Sequence, residues 1–176
     1  ALPCAEVVDR GGEIEQPEGE VRHLLRMDEH PRSAAREVED LAPADLADRT
    51  IVFLDCGNID RMPVDFLTDG DNDRINIDHH HDNTRFGEIN LVDVEASSTA
   101  EIVFQLSGRL GATTTPSIAQ ALYVGLITDT GRFMYENTGP RAHLMAAACI
   151  EAGIDVAAIY RRVYEGWPEP KLRLFA

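Results

Sequence analysis

Lysine is almost missing from this sequence: Lys171 is the only one, and arginines make up the rest of 16 basic residues against 31 acidic ones. The net charge of −15 excludes a surface built to grip duplex DNA or RNA, which needs basic stripes to displace counterions. It leaves room for a small anionic substrate held through metal ions. Long apolar runs are absent too, so no segment has the length of a membrane-spanning helix, and no signal peptide is visible. Cys4, Cys56 and Cys149 are odd in number and widely separated, without paired zinc spacing. They read as reduced thiols of a cytoplasmic protein, not as a disulfide framework. A GxxxxGK(S/T) loop and a GxSxG elbow are both lacking, which removes P-loop and α/β-hydrolase chemistry. There is no internal repeat. The first residue is Ala1 and not methionine, so a preceding stretch of chain is expected.

What remains is enough for one globular domain. Of 176 residues, 44% are hydrophobic and 27% charged, which supports a core and argues against disorder. Residues 1–49 hold 13 acidic and 6 basic side chains, several prolines and the Gly11-Gly12 pair. They predict an acidic, irregular segment leading into the domain, with a solvated loop over 13–20 and short helical patterns near Leu24-Leu25 and Pro43 to Ala47. From residue 50 to 176 the pattern is that of a folded core. Ile51 to Leu54 and Arg74 to Ile77 are short apolar runs with β-branched residues, and each ends in a polar string. Such runs suit buried strands of a parallel sheet, whose carboxyl edge is where α/β proteins place ligands. Ile89 to Val92 predicts another strand. Helices follow. Ser98 to Glu101 forms a capping box, Thr115 with Pro116 opens a second helix, Pro140 to Ala152 is a third, and Asp155 caps a fourth. The predicted fold class is α/β, a parallel β-sheet flanked by helices.

The residues suited to chemistry are Asp55, Asp78-His79-His80 and Asp129, each placed just after an apolar segment. Taken singly, an Asp at such a place is most often a turn or cap residue. As a set, carboxylates with imidazole are hard-to-borderline ligands that suit Mn²⁺ or Mg²⁺ better than thiolate-held zinc. Two such ions would polarise a phosphoryl group and activate a water. Asp78, beside His79, is expected to accept the second imidazole N–H and set the tautomer of the ligating ring. The string Asp69 to Asp73 is an acidic turn: the position where a calcium loop needs glycine holds Arg74. Trp167, Tyr160 and Tyr164 are read as packing residues.

Four ordered motifs carry a resemblance. They are LDCGN (Leu54 to Asn58), NIDHHHDNTRFG (Asn76 to Gly87), EASSTAE (Glu95 to Glu101) and GLITDTGRFMYENT (Gly125 to Thr138). Over roughly residues 50–165 the chain resembles the DHH phosphoesterases, specifically the short NrnA-type members of the RecJ-like superfamily that act on small nucleotides. The resemblance implies that Asp55 bridges a metal pair, with His79 and Asp129 as further ligands and Mn²⁺ (or Mg²⁺) as cofactor. It implies that His80 contacts the scissile phosphate while Asp78 orients the histidine, that Asn83 meets substrate, and that Arg132 is a phosphate or transition-state partner. Substrates implied are short oligoribonucleotides, 3′-phosphoadenosine 5′-phosphate, or linear or cyclic dinucleotides. Neither duplex nucleic acid nor a membrane is an expected partner, and a homodimer stays open.

Two pieces of that family's pattern are not found. One is the N-terminal H-x-x-PD-x-D motif, whose nearest string, Glu29 to Ala34, has Arg32 and Ala34 where carboxylates belong. The other is the C-terminal glycine-rich substrate subdomain. The sequence is therefore expected to be the central part of a longer enzyme. The competing reading is a degenerate DHH-like module that binds a nucleotide or a partner; pyrophosphatase-like activity is the alternative within the superfamily.

Overall fold

Alternating β-branched and aliphatic residues build the centre of a four-stranded sheet, seen here in a computed structural model. The structure describes residues 5–9, 46, 49–62, 67 and 70–165. Strand β2 (Arg49–Leu54) lies parallel to β3 (Arg74–Asp78), with Leu54 opposite Ile77, and β3 lies parallel to β4 (Ile89–Val92). Parallel neighbours joined through crossovers are what the apolar runs predicted. The spatial order is β1-β2-β3-β4.

Strand β1 (Ala5–Asp9) corrects the reading of residues 1–49 as irregular. It pairs antiparallel with β2, Ala5 opposite Phe53 and Asp9 opposite Arg49. Five residues with only two valines carry too little periodicity to be told from a loop; the ladder offered by β2 makes them a strand. The loop expected over 13–20, the helical pattern near Leu24-Leu25 and the string Glu29 to Ala34 fall outside the described residues. So do the turn from Pro43 to Ala47, apart from Leu46, and Trp167.

Both faces of β2 and β3 are covered. Successive strand residues point to opposite sides. Ile51 and Phe53 therefore pack with Leu46, Leu67 and Cys56, while Val52, Leu54, Ile75 and Ile77 meet Ala96 and Ile102 on the other side. Phe53 and Ile51 are essentially inaccessible, and burial of such side chains stabilises by about 1.5–3 kcal/mol each. The acidic turn before β3 is pinned by Asn72, whose amide donates to the carbonyls of Leu46 (2.6 Å) and Arg49 (2.9 Å).

Helix α1 (Thr99–Arg109) starts at the Ser98 cap, whose hydroxyl accepts the Glu101 N–H at 3.2 Å. The reciprocal half of the capping box is displaced by one residue. The Glu101 carboxylate accepts from the N–H and hydroxyl of Ser97 at 2.9 and 2.6 Å, not from Ser98. Helix α2 (Pro116–Asp129) is apolar on most sides because it is the central helix of a second core, packed against α1 and α3 (Pro140–Glu151). Asp155 caps the short α4 (Val156–Tyr160), which runs into a π-type turn, Arg161–Glu165. Among the described residues no single helix is long and apolar enough to cross a membrane.

Candidate metal centre

Asp55 follows the last residue of β2, and its N–H donates to the Ile77 carbonyl at 3.0 Å, so the ends of β2 and β3 stay level. Its φ of 60° lies in the left-handed region. Asp and Asn enter that region more readily than other side-chain-bearing residues, at a cost of about 1–3 kcal/mol. The turn swings the chain out of the strand direction at the point where a carboxylate is needed. Asp129 arrives from elsewhere, as the last residue of α2. The following turn has three consecutive left-handed residues, Gly131, Arg132 and Phe133.

His79 joins the two carboxylates. Its Nδ1 lies 3.2 Å from the Ala96 carbonyl, an atom that can only accept, so Nδ1 carries a proton and, in the neutral ring, the lone pair is on Nε2. That Nε2 stands 3.5 Å from Asp55 Oδ1 and 3.6 Å from Asp129 Oδ2. Both carboxylates thus face the same ring nitrogen. The electrostatic strain shows at Asp129, whose pKa is raised to about 6, first by burial and then by the Asp55 charge. A cation placed among these atoms relieves both effects. Ligand atoms of Asp55, His79 and His80 also lie within 4.8 Å of one another. Oxygen with imidazole is a donor set for Mn²⁺ or Mg²⁺, so the residues fit the expected metal.

Asp78 orients a histidine, but it is His80 and not His79. Just past the end of β3, His80 turns toward Asp78 while His79 turns to the Ala96 carbonyl. His80 Nδ1 and Asp78 Oδ1 are 2.8 Å apart, and Asp78 is fully buried. Burial alone would raise the Asp78 carboxyl. The hydrogen bonds from His80 and Asn83 outweigh it and hold the group below its ordinary value. Burial would likewise lower His80, and the bond and charge of Asp78 instead raise it.

Asn83 turns its amide inward. Nδ2 lies 2.6 Å from Asp78 Oδ2, 3.1 Å from Asn76 Oδ1 and 3.2 Å from the Cys56 carbonyl, while its Oδ1 accepts the Arg85 N–H at 2.6 Å. Arg132 makes no hydrogen bond or ion pair with this cluster among the described residues. Its exposed guanidinium lies over the Tyr164 ring, 5.0 Å from the centroid, and Tyr164 donates to the carbonyl of Ile127 at 3.1 Å.

Several residues at the centre had no predicted role. The Thr99 hydroxyl donates to Asp55 Oδ1 at 2.9 Å. Asn76, fully buried, donates to the Cys56 carbonyl at 2.8 Å. The Asn137 amide reaches the carbonyls of Ser97 (2.8 Å) and Asp129 (3.2 Å). Asn76, Thr99 and Asn137 all lie inside the four motifs, so the signal was present, but a helix-start reading of Ser98 to Glu101 concealed the contact across the sheet edge.

Comparison with known proteins places this geometry. A model described as DHH family, N-terminal domain, matches residues 7–126, so the likeness begins well before residue 50 and includes the last three residues of β1. The chain is 36% identical over 129 residues to the bifunctional oligoribonuclease and PAP phosphatase NrnA of Thermus thermophilus, covering 72% of this chain and 37% of that protein. It is 29% identical over 127 residues to the probable protein of that name from Streptococcus mutans, covering 72% and 41%. Less than half the length of either relative is spanned. In structure it is similar to an exopolyphosphatase-related protein from Bacteroides fragilis. The TM-score there is 0.64 at 33% identity, over 70% of this chain and 37% of the other.

Proposed function

The chain belongs to the DHH family, and on that premise we propose that it is the metal-binding part of a phosphoesterase acting on small nucleotides, by direct attack of water and without a covalent intermediate. The observation that carries this reading is the approach of His79 Nε2 to the carboxylates of both Asp55 and Asp129. These three residues would hold Mn²⁺. Bound ions supply Lewis-acid polarisation of the phosphoryl group and lower the pKa of the attacking water.

The chain's own groups do the rest. His80, kept protonated more readily by buried Asp78, donates to a phosphoryl oxygen and offsets charge that grows in the transition state. Asn83 aligns Asp78. Arg132, three positions beyond Asp129 and ordered by Tyr164, attracts a second phosphate of the nucleotide. An acidic protein tolerates such substrates because local cations, and not the net charge, set the field in the cleft. Short oligoribonucleotides and 3′-phosphoadenosine 5′-phosphate are the substrates favoured by the relatives' names.

The test is release of inorganic phosphate from 3′-phosphoadenosine 5′-phosphate, and of mononucleotides from a short oligoribonucleotide, with Mn²⁺. It is run on this chain and on the chain extended at both ends by its genomic flanks. Release that disappears in His79→Ala is expected. An extended protein that folds, yet is inert on both substrates, overturns the proposal.

A further inference from the structure

One short segment, residues 96–99, is tied to all three of the proposed metal-holding residues, directly to His79 and Asp55 and through Asn137 to Asp129. The Ala96 carbonyl accepts from His79 Nδ1 at 3.2 Å, and the Thr99 hydroxyl donates to Asp55 Oδ1 at 2.9 Å. The Ser97 carbonyl accepts at 2.8 Å from the Asn137 amide, which also lies 3.2 Å from the backbone carbonyl of Asp129. The segment is itself held from behind. Glu101, 2% exposed, accepts from the Ser97 N–H and hydroxyl and is paired with Arg141, which bonds Asp93 at 2.9 Å.

From this geometry we infer that Thr99 and Asn137 are positioning residues for the metal centre, Thr99 by fixing the rotation of the Asp55 carboxylate and Asn137 by clasping the end of α2 to the 96–99 segment. The inference rests on the metal-centre reading above. Asp55 lies on a left-handed turn and Asp129 at a helix end. Neither has a strand or helix on both sides to hold it, so tethers must set their spacing. Thr99 bonds the same oxygen that faces His79. Asn137 does not touch a ligand side chain. It fixes where the Asp129 backbone stands relative to His79, because both are referred to the same segment. Outer partners of metal ligands commonly change affinity 10–100-fold when removed.

The test is calorimetric titration of the whole chain with Mn²⁺, together with its electron paramagnetic resonance spectrum. Thr99→Val keeps the shape and removes the hydroxyl, Thr99→Ser restores it, and Asn137→Ala removes the clasp at an exposed position. Thr115→Ala, which trims the cap of α2 on the surface, controls for stability alone. Thr99→Val and Asn137→Ala are expected to bind Mn²⁺ about tenfold more weakly with an altered spectrum. Thr99→Ser and Thr115→Ala should bind as wild type does. If wild type binds Mn²⁺ and Thr99→Val and Asn137→Ala match it, the positioning inference is overturned while the metal centre stands. If wild type binds no Mn²⁺, the metal-centre reading fails and takes this one with it.

Discussion

His80 binds Asp78 through Nδ1 at 2.8 Å, and the carboxylate it binds is closed to solvent while the imidazole keeps an exposed edge. Each partner moves the other's proton affinity: Asp78 lies below its ordinary 3.8 and His80 above its ordinary 6.5. The contribution of Asp78 is complete above 3.8 and is lost as pH falls through its lower folded value. That of His80 is complete below 6.5 and is lost as pH rises through its higher folded value. The pair therefore stabilises most between these limits.

Urea unfolding of wild type and His80→Gln across pH checks this. The gap between them is expected to be about 1 kcal/mol near pH 5, since the His80 edge is solvated, and to narrow toward pH 9. A gap independent of pH would contradict the assignment.

In Asp78→Asn the imidazole loses its anionic partner. The His80 titration midpoint, followed by NMR of the ring protons, is expected to drop toward or below 6.5. A midpoint unmoved by the substitution would show that Asp78 does not control the proton on His80.

Asp129 has the opposite sign. Its folded pKa of about 6 exceeds the ordinary 3.8, so the metal-free protein loses stability as pH rises through that window. Asp129→Asn should stabilise the metal-free protein by about 2–3 kcal/mol at pH 7, the equivalent of roughly two pKa units, while weakening Mn²⁺ binding. Denaturant unfolding with a chelator present, and again with Mn²⁺, separates the two effects. Destabilisation of the chelated protein would refute the repulsion between Asp55 and Asp129.

The same proton must leave before Asp129 can act as a ligand. Apparent Mn²⁺ affinity is therefore expected to fall about tenfold per pH unit below 6 and to level off above it. Titrations between pH 5 and 8 decide this, and Asp129→Asn should weaken the dependence, since His79 must also be unprotonated to bind.

Glu101 is the buried anchor of the 96–99 segment. Glu101→Ala leaves the Ser97 N–H and hydroxyl without their acceptor and breaks the pairing with Arg141. A loss of about 3 kcal/mol in unfolding free energy is expected, from stranded buried donors and a lost ion pair. A cost under 0.5 kcal/mol would show that the segment is held by other contacts.

The α/β order, the three parallel strands and the helix starts at Ser98, Thr115 and Asp155 were all legible in the sequence. Each is written in local terms: β-branched runs, caps and polar strings just after apolar stretches. Residues 5–9 were not legible, because a short antiparallel edge strand is specified by the ladder beside it and not by its own pattern. The partner of Asp78 was not legible either. Adjacency in sequence pointed to His79, but the turn after β3 carries the bond to His80. Nor could spacing reveal that Thr99 reaches Asp55 across 44 positions. What the sequence determined by itself is the set of groups available for metal and phosphate chemistry. Only the tertiary structure decided which of them converge, because distances between the ends of β2, β3 and α2 are set by packing and by the hydrogen bonds of the 96–99 segment, and neither leaves a periodic trace in the chain.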